Sequence, residues 1–167
     1  TVIVKGVEDA PYFTGLNTEY TIDEDSVGAE VSFSIKDAET EADSLMLQAV
    51  SLDDTQKLLK NSGITIAGLG DSSDTVTLKF TPEANAYGDV TISLALGDGF
   101  TTVLRTFTLH IANVNDAPTA KNDEIAYEED STTVLIDVAD LIANDTDIDG
   151  DTLSFDGIVL ATTIGTL

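Results

Sequence analysis

The sequence predicts an all-β chain built from tandem two-sheet antiparallel sandwiches, with about seven strands to each module. Three observations carry that prediction. Apolar and polar residues alternate with a period of two in several short runs, turn-forming residues separate the runs, and acidic motifs recur in the same order roughly 107 residues apart.

Taken along the chain, residues 1–10 read as the end strand and linker of a preceding module, with Thr1 opening directly into a strand-like run. In 29–36, Ala29, Val31, Phe33 and Ile35 share one face and Glu30, Ser32, Ser34 and Lys36 the other. Leu45, Leu47 and Ala49 repeat the pattern more briefly. Residues 53–60 have the composition for one or two helical turns, and 53–73 has room for one strand. Val76, Leu78 and Phe80 alternate in 75–81, Val90, Ile92, Leu94 and Leu96 in 90–96, and Phe107, Leu109 and Ile111 in 106–111. Turn residues fill 68–73, 82–88 and Gly97-Asp98-Gly99. About seven short strands in roughly 100 residues, with no long helical period, predict an immunoglobulin-like antiparallel sandwich.

The repeat sets the domain boundaries. Gly6-Val7-Glu8-Asp9-Ala10-Pro11 returns as Asn113-Val114-Asn115-Asp116-Ala117-Pro118. Asp23-Glu24-Asp25-Ser26 returns as Glu128-Glu129-Asp130-Ser131, and the loop from Asp37 to Leu47 returns from Asp145 to Phe155. Residues 11–117 therefore read as one complete repeat and 118–167 as the first half of the next, with three or four strands expected there.

Composition narrows the function. Against 31 Asp and Glu stand 7 Lys and Arg, a formal charge of −24. Nucleic acid and anionic membranes both reward clustered Lys and Arg, so neither is an expected partner, and cations are. Hydrophobic residues make up 42% of the chain, and their alternation points to a folded protein rather than a solvated tract. With no cysteine, disulfides and thiolate metal sites are excluded. No apolar stretch reaches membrane-spanning length, so insertion by this chain is not expected.

Strand direction places the acids. Each connection in an antiparallel sandwich falls at the opposite end from the one before it. With the first linker at the top, Glu24 and Asp25 fall at the bottom, and Asp37, Glu39, Glu41 and Asp43 at the top. Glu83 or Asn85 joins the bottom set, Asp98 returns to the top, and Asn115 and Asp116 leave from the bottom. The lower junction is then expected to hold Glu24, Asp25, Asn115 and Asp116, with Asp145, Asp147, Asp149 or Asp151 from the next module. The upper junction is expected to hold Asp9, Asp37, Glu39 and Asp98 together with Glu8, Glu41 and Asp43.

Carboxylates gathered this closely repel unless a cation neutralises them. Six to eight hard oxygens in flexible geometry suit calcium, and magnesium keeps too many waters to fit as well. The plainer alternative is that Asp, Asn and Gly here are solvated turn residues. A second calcium reading also exists, because Asp145-x-Asp147-x-Asp149-Gly150 matches the start of an EF-hand loop, with Asp156 twelfth. Position twelve usually holds Glu, and 152–160 reads as strand, which counts against helix–loop–helix.

With these residues in place, the sequence resembles the cadherin-like tandem repeats of large bacterial adhesins exported by type I secretion, of the VCBS and RTX-adhesin type. The motifs that carry the resemblance are Val114-Asn115-Asp116-Ala117-Pro118, the segment from Asn144 to Leu153, and Thr81-Pro82-Glu83-Ala84-Asn85 followed by Ile92 and Asp98-Gly99. The resemblance implies calcium at module junctions, with Glu24, Asn115, Asp116, Asp145 and Asp147 at matching positions. It implies an extracellular or cell-surface chain whose neighbouring repeats become a stiff strut when calcium is bound. The acidic motif expected after the fifth strand is only Glu83-Ala84-Asn85 here, so fewer ions per junction are implied.

Two other function classes fit the sequence less well. An enzyme is not expected: His110 is the only histidine, on a polar strand face, and no Trp accompanies the carboxylates as a sugar cleft would require. The alternative to a spacer is a module that binds carbohydrate or a cell-surface protein, for which Tyr12, Tyr20, Tyr87 and Tyr127 are the stacking candidates.

Overall fold

The computed structural model describes residues 7–53, 55, 57–70, 73–126, 128, 130, 133 and 135–157. The expectations for residues 1–6, Tyr127, Glu129 and Ser131, and for the chain after 157, lie outside the described residues. The chain divides into two compact units between Val114 and Asn115.

Among its described residues unit 1 holds eight strands: β1 (Tyr12–Thr14), β2 (Glu19–Asp23), β3 (Ala29–Lys36), β4 (Met46–Ser51), β5 (Ile64–Ala67), β6 (Thr75–Phe80), β7 (Gly88–Gly97) and β8 (Thr102–Ala112). They form two four-stranded sheets, β1-β3-β6-β5 and β2-β8-β7-β4. Lettered in chain order, with β1 and β2 as two parts of the first strand, these sheets are A-B-E-D and A-G-F-C. That is the strand arrangement of the immunoglobulin sandwich.

The alternating residues face inward as the sequence requires. Val31, Phe33 and Ile35 of β3 are buried, as are Val76, Leu78 and Phe80 of β6, Val90 to Leu96 of β7 at alternate positions, and Phe107, Leu109 and Ile111 of β8. Each such side chain contributes about 1.5–3 kcal/mol when fully buried. Phe107 links the layers, with its ring centroid 5.1 Å from Tyr20 and 6.3 Å from Phe80 in edge-on geometry.

Three features depart from expectation. First, the first of the about seven expected strands divides at Gly15 (φ 75°), which gives eight among the described residues of unit 1. β1 lies antiparallel to β3, but β2 continues in the same direction onto β8, which also runs downward, so that pair is parallel (Glu19 opposite Thr108). Second, the described residues of 53–60 form no helix. The Asp53 carboxylate gathers this loop instead, accepting from the N–H and Oγ1 of Thr55 and the N–H groups of Leu58 and Leu59 at 2.7–3.4 Å. The loop thereby sets Leu59, fully buried, into the core. Third, unit 2 has no strand among its described residues. It has one isolated bridge, Thr119 to Thr146, and a short helix α1 (Val138–Ile142) where β3 lies in unit 1. A strand needs a neighbour for its N–H and C=O groups, whereas a helix closes its own. Asp137 starts α1 by accepting from the Ala139 N–H at 2.9 Å. α1 precedes the Asp145 loop, but no helix follows it among the described residues, so the EF-hand pairing is not formed there.

Candidate functional site

Carboxylates gather at both ends of unit 1, as strand direction demands. At the lower end the N–H of Glu24 bonds the carbonyl of Ala112, which aligns the end of β2 with the end of β8. The Glu24 side chain is only 3% exposed. Its Oε1 accepts from the N–H of Val114 at 2.9 Å, so it anchors the start of the linker, while its Oε2 is buried without a hydrogen-bond donor. Neighbouring Asp25 stands in the left-handed region (φ 55°), as does Asn85 (φ 54°), and the N–H of Asn85 donates to Asp25 Oδ1 at 2.9 Å. Two non-glycine residues with positive φ, joined by one bond, mark this turn pair as strained in favour of its polar geometry.

At the upper end the N–H of Asp9 donates to Glu39 Oε2 at 3.2 Å. Asp37 Oδ1 accepts from the N–H groups of Glu39 and Thr40 at 2.9 and 2.7 Å, and its Oδ2 is buried without a donor. Asp37, Glu39 and Glu41 line a surface cavity of ≈ 190 Å³ together with Lys36 and Asp74, which pair at 2.8 Å. Asp98 lies at the same end but is committed to its own turn. It accepts from the N–H groups of Phe100 and Thr101 at 2.6 Å and from Thr101 Oγ1 at 3.0 Å. The Thr101 N–H first, then that of Phe100, holds its carboxyl below the usual aspartate range.

In unit 2 the acidic loop is organised by its own backbone. Asp147 Oδ1 accepts from the N–H groups of Asp149 and Asp151 at 2.9 and 3.2 Å. Asp149 Oδ2 accepts from the N–H of Asp116 at 2.7 Å, and Asp145 Oδ1 from that of Lys121 at 2.8 Å. Asn115 turns its amide onto the carbonyl of Asp116 at 2.9 Å. The backbone of Asp116 is thus tied to the loop, with its N–H rather than its carboxylate making the bond.

The donor chemistry fits a hard cation. Every candidate offers oxygen, and the two buried carboxylate oxygens without a donor, on Glu24 and Asp37, belong to candidate ligands at opposite ends of unit 1. Yet among the described residues no three His, Cys, Asp or Glu side chains converge as a metal-holding group. Backbone N–H groups occupy many of the oxygens instead.

Sequence reasoning missed two interactions. His110 is not a bare surface histidine: its Nδ1 lies 2.6 Å from Asp89 Oδ1 and its Nε2 3.6 Å from Glu19 Oε2. The hydrogen bond to Asp89 chiefly raises its pKa. Alternation alone put His110 on the polar face; the strand register, which sets it opposite Asp89, was the missing information. Lys60 pairs with Glu83, across a sequence distance that leaves no signature.

Residues 114–167 match the model of a cadherin-like domain. No curated protein matches the chain. Among solved structures, human protocadherin-24 EC1-2 aligns at 18% identity and a TM-score of 0.48, over 70% of this chain and 50% of that one. A chimeric titin Z1Z2 aligns at 17% identity and 0.46, over 65% and 100%. Domains 4 and 5 of the S-layer protein SbsC align at 17% and 0.43, over 66% and 49%. This chain spans half the length of the protocadherin chain.

Proposed function

We propose that this chain is a calcium-binding structural repeat that stiffens an extended bacterial adhesin, displayed at the cell surface or secreted and used in cell adhesion. The observation that carries the reading is Glu24. A carboxylate only 3% exposed, with one oxygen holding the linker and the other facing no donor, is costly unless a cation completes it. Asp37 repeats the pattern at the other end with one oxygen. The linker residues Asn115 and Asp116 and the loop from Asp145 to Asp151 supply further hard oxygens in unit 2. Calcium bound by these residues would offset a formal charge of −24 and restrain joints that carboxylate repulsion otherwise loosens.

The test is a calcium titration of the metal-stripped chain, following the melting temperature with magnesium as control. An ion that binds only the folded state stabilises it by about 2.7 kcal/mol at a hundredfold excess over its dissociation constant. A rise with calcium that Asp116→Ala or Asp145→Ala largely removes supports the reading. No shift at millimolar calcium means that the acids are solvated turn residues. The second reading, a module for carbohydrate or a cell-surface protein, then moves ahead. It draws on Tyr12 and Tyr87, each 52% exposed, and a glycan array would detect it.

A further inference from the structure

We infer that a second copy of this chain adds to unit 1 through the open edge of β8, the two β8 strands running antiparallel about a two-fold axis. The N–H of Thr108 donates to the carbonyl of Thr18 at 3.0 Å, and the carbonyl of Ala112 accepts from the N–H of Glu24 at 2.9 Å. Even-numbered residues of β8 therefore turn their N–H and C=O groups toward β2. The register with β2 starts only at Thr108, and the other neighbour of β8 in its sheet is β7. Among the described residues, then, no strand covers the same groups of Leu104 and Thr106. The side chains agree: β8 buries Phe107, Leu109 and Ile111 but leaves Leu104, Arg105 and Thr106 exposed in succession. Arg105 closes part of the gap with its own side chain, its Nη1 donating to the Leu104 carbonyl at 2.9 Å. An uncovered edge of this kind is a template for another strand.

Charge and register select the second copy as the occupant. At a formal charge of −24, copies of this chain repel wherever their carboxylates meet. No Asp or Glu occurs from Gly99 to Asn115, however, the longest such run in the sequence. The acid just before it, Asp98, is spent on its own turn. Antiparallel pairing centred on Leu104 sets this side chain, 64% exposed, opposite the partner's Leu104 as a hydrogen-bonded pair. Thr106 then lies opposite the partner's Thr102, and Arg105 opposite the partner's Val103. Each hydrogen-bonded pair exchanges both N–H···O=C bonds, no like charges stand opposite one another, and the two leucines cover each other. The bond given up is the one from the exposed Arg105 guanidinium. A contact limited to 102–106 buries less than about 1,200 Å², which places it in the weak and transient class.

The experiment uses the full 167-residue chain in chelator, so that its outcome does not depend on calcium. Sodium chloride near 1 M screens charges within about 3 Å. Sedimentation equilibrium from about 10 μM to about 1 mM protein should show the average mass rising from that of the monomer toward that of the dimer. Leu104→Pro removes the central N–H, which the fold of unit 1 leaves unused, and sets a ring at the contact. Proline is tolerated on such an edge, so the melting temperature should move little while the mass stays monomeric. Because the chain has no cysteine, Leu104→Cys tests the register directly. The central pair stands about 5.5 Å apart at Cα, within reach of a disulfide. In diamide it should cross-link at least about tenfold faster than Met46→Cys, which is exposed on the opposite edge strand β4. A chain that stays monomeric up to about 1 mM overturns the inference. So does association that survives Leu104→Pro, or equal cross-linking at the two positions. Should Leu104→Pro fail to fold, the cross-linking comparison decides by itself.

Discussion

Replacing Glu24 by Gln should change sign with calcium. The amide keeps an oxygen for the Val114 N–H, now 2.9 Å from Glu24 Oε1, and removes a charge from a side chain that is 3% exposed. In chelator, the parent chain carries a buried carboxylate oxygen with no donor, a penalty on the order of 1–3 kcal/mol. Glu24→Gln should relieve part of it, about 1 kcal/mol, and raise the melting temperature by about 4 °C for a domain of this size. In calcium at a hundredfold excess over the parent dissociation constant, the parent gains about 2.7 kcal/mol, or roughly 10 °C. Loss of one anionic ligand should weaken binding at least tenfold, removing about 1.4 kcal/mol or more of that gain. Melting curves by circular dichroism, with and without calcium, should therefore cross: the variant is more stable in chelator and the parent more stable in calcium. Equal destabilisation of the variant in both conditions would refute the reasoning, because it would make Glu24 a structural anchor for the linker and nothing more.

Three further outcomes follow from the packing. Because Asp89 holds the folded His110 pKa above 6.5, the histidine contributes stability below its unfolded pKa and loses it as pH rises through the folded value. Melting temperature at low salt should fall across that window, and the fall should vanish in His110→Gln and shrink at high salt. Asp53, with its pKa lowered to about 2 chiefly by the hydrogen bond from Thr55, contributes stability above about pH 4 that is lost as pH falls toward 2. Asp53→Ala should cost about 1–3 kcal/mol in urea unfolding at neutral pH, by leaving the Leu58 N–H without its acceptor, and should flatten the acid limb. Gly63→Ala would place a Cβ 2.4 Å from the Thr81 carbonyl oxygen, so the β5–β6 end must shift; a loss of more than about 1 kcal/mol is expected, and an unchanged midpoint would show that the backbone yields easily.

Much of unit 1 was legible because its information is local. A period of two in Val31-x-Phe33-x-Ile35 and Val90 to Leu96 needs no partner to be read, and the structure buries those positions. Strand direction, counted along the chain, was enough to sort Glu24 and Asp25 from Asp37 and Glu39 into opposite ends. Turn chemistry likewise marked Asp98, though not that its oxygens would be spent on Phe100 and Thr101.

What only the tertiary structure decided are the properties that depend on a second segment. The short runs 12–14 and 19–23 carry too little alternation to show that they join different sheets, one of them in parallel. Leu59 reaches the core because Asp53 shapes a loop that has no period. Residues 137–144 match β3 by the offset that carries Asp37 to Asp145, yet 138–142 form a helix, whose backbone groups need no neighbouring segment. Above all, the sequence identified Glu24 as one acid among 31. Its burial, its bond to the linker and its oxygen without a donor arise where β2 meets β8. That meeting is a long-range contact, and no spacing along the chain records it.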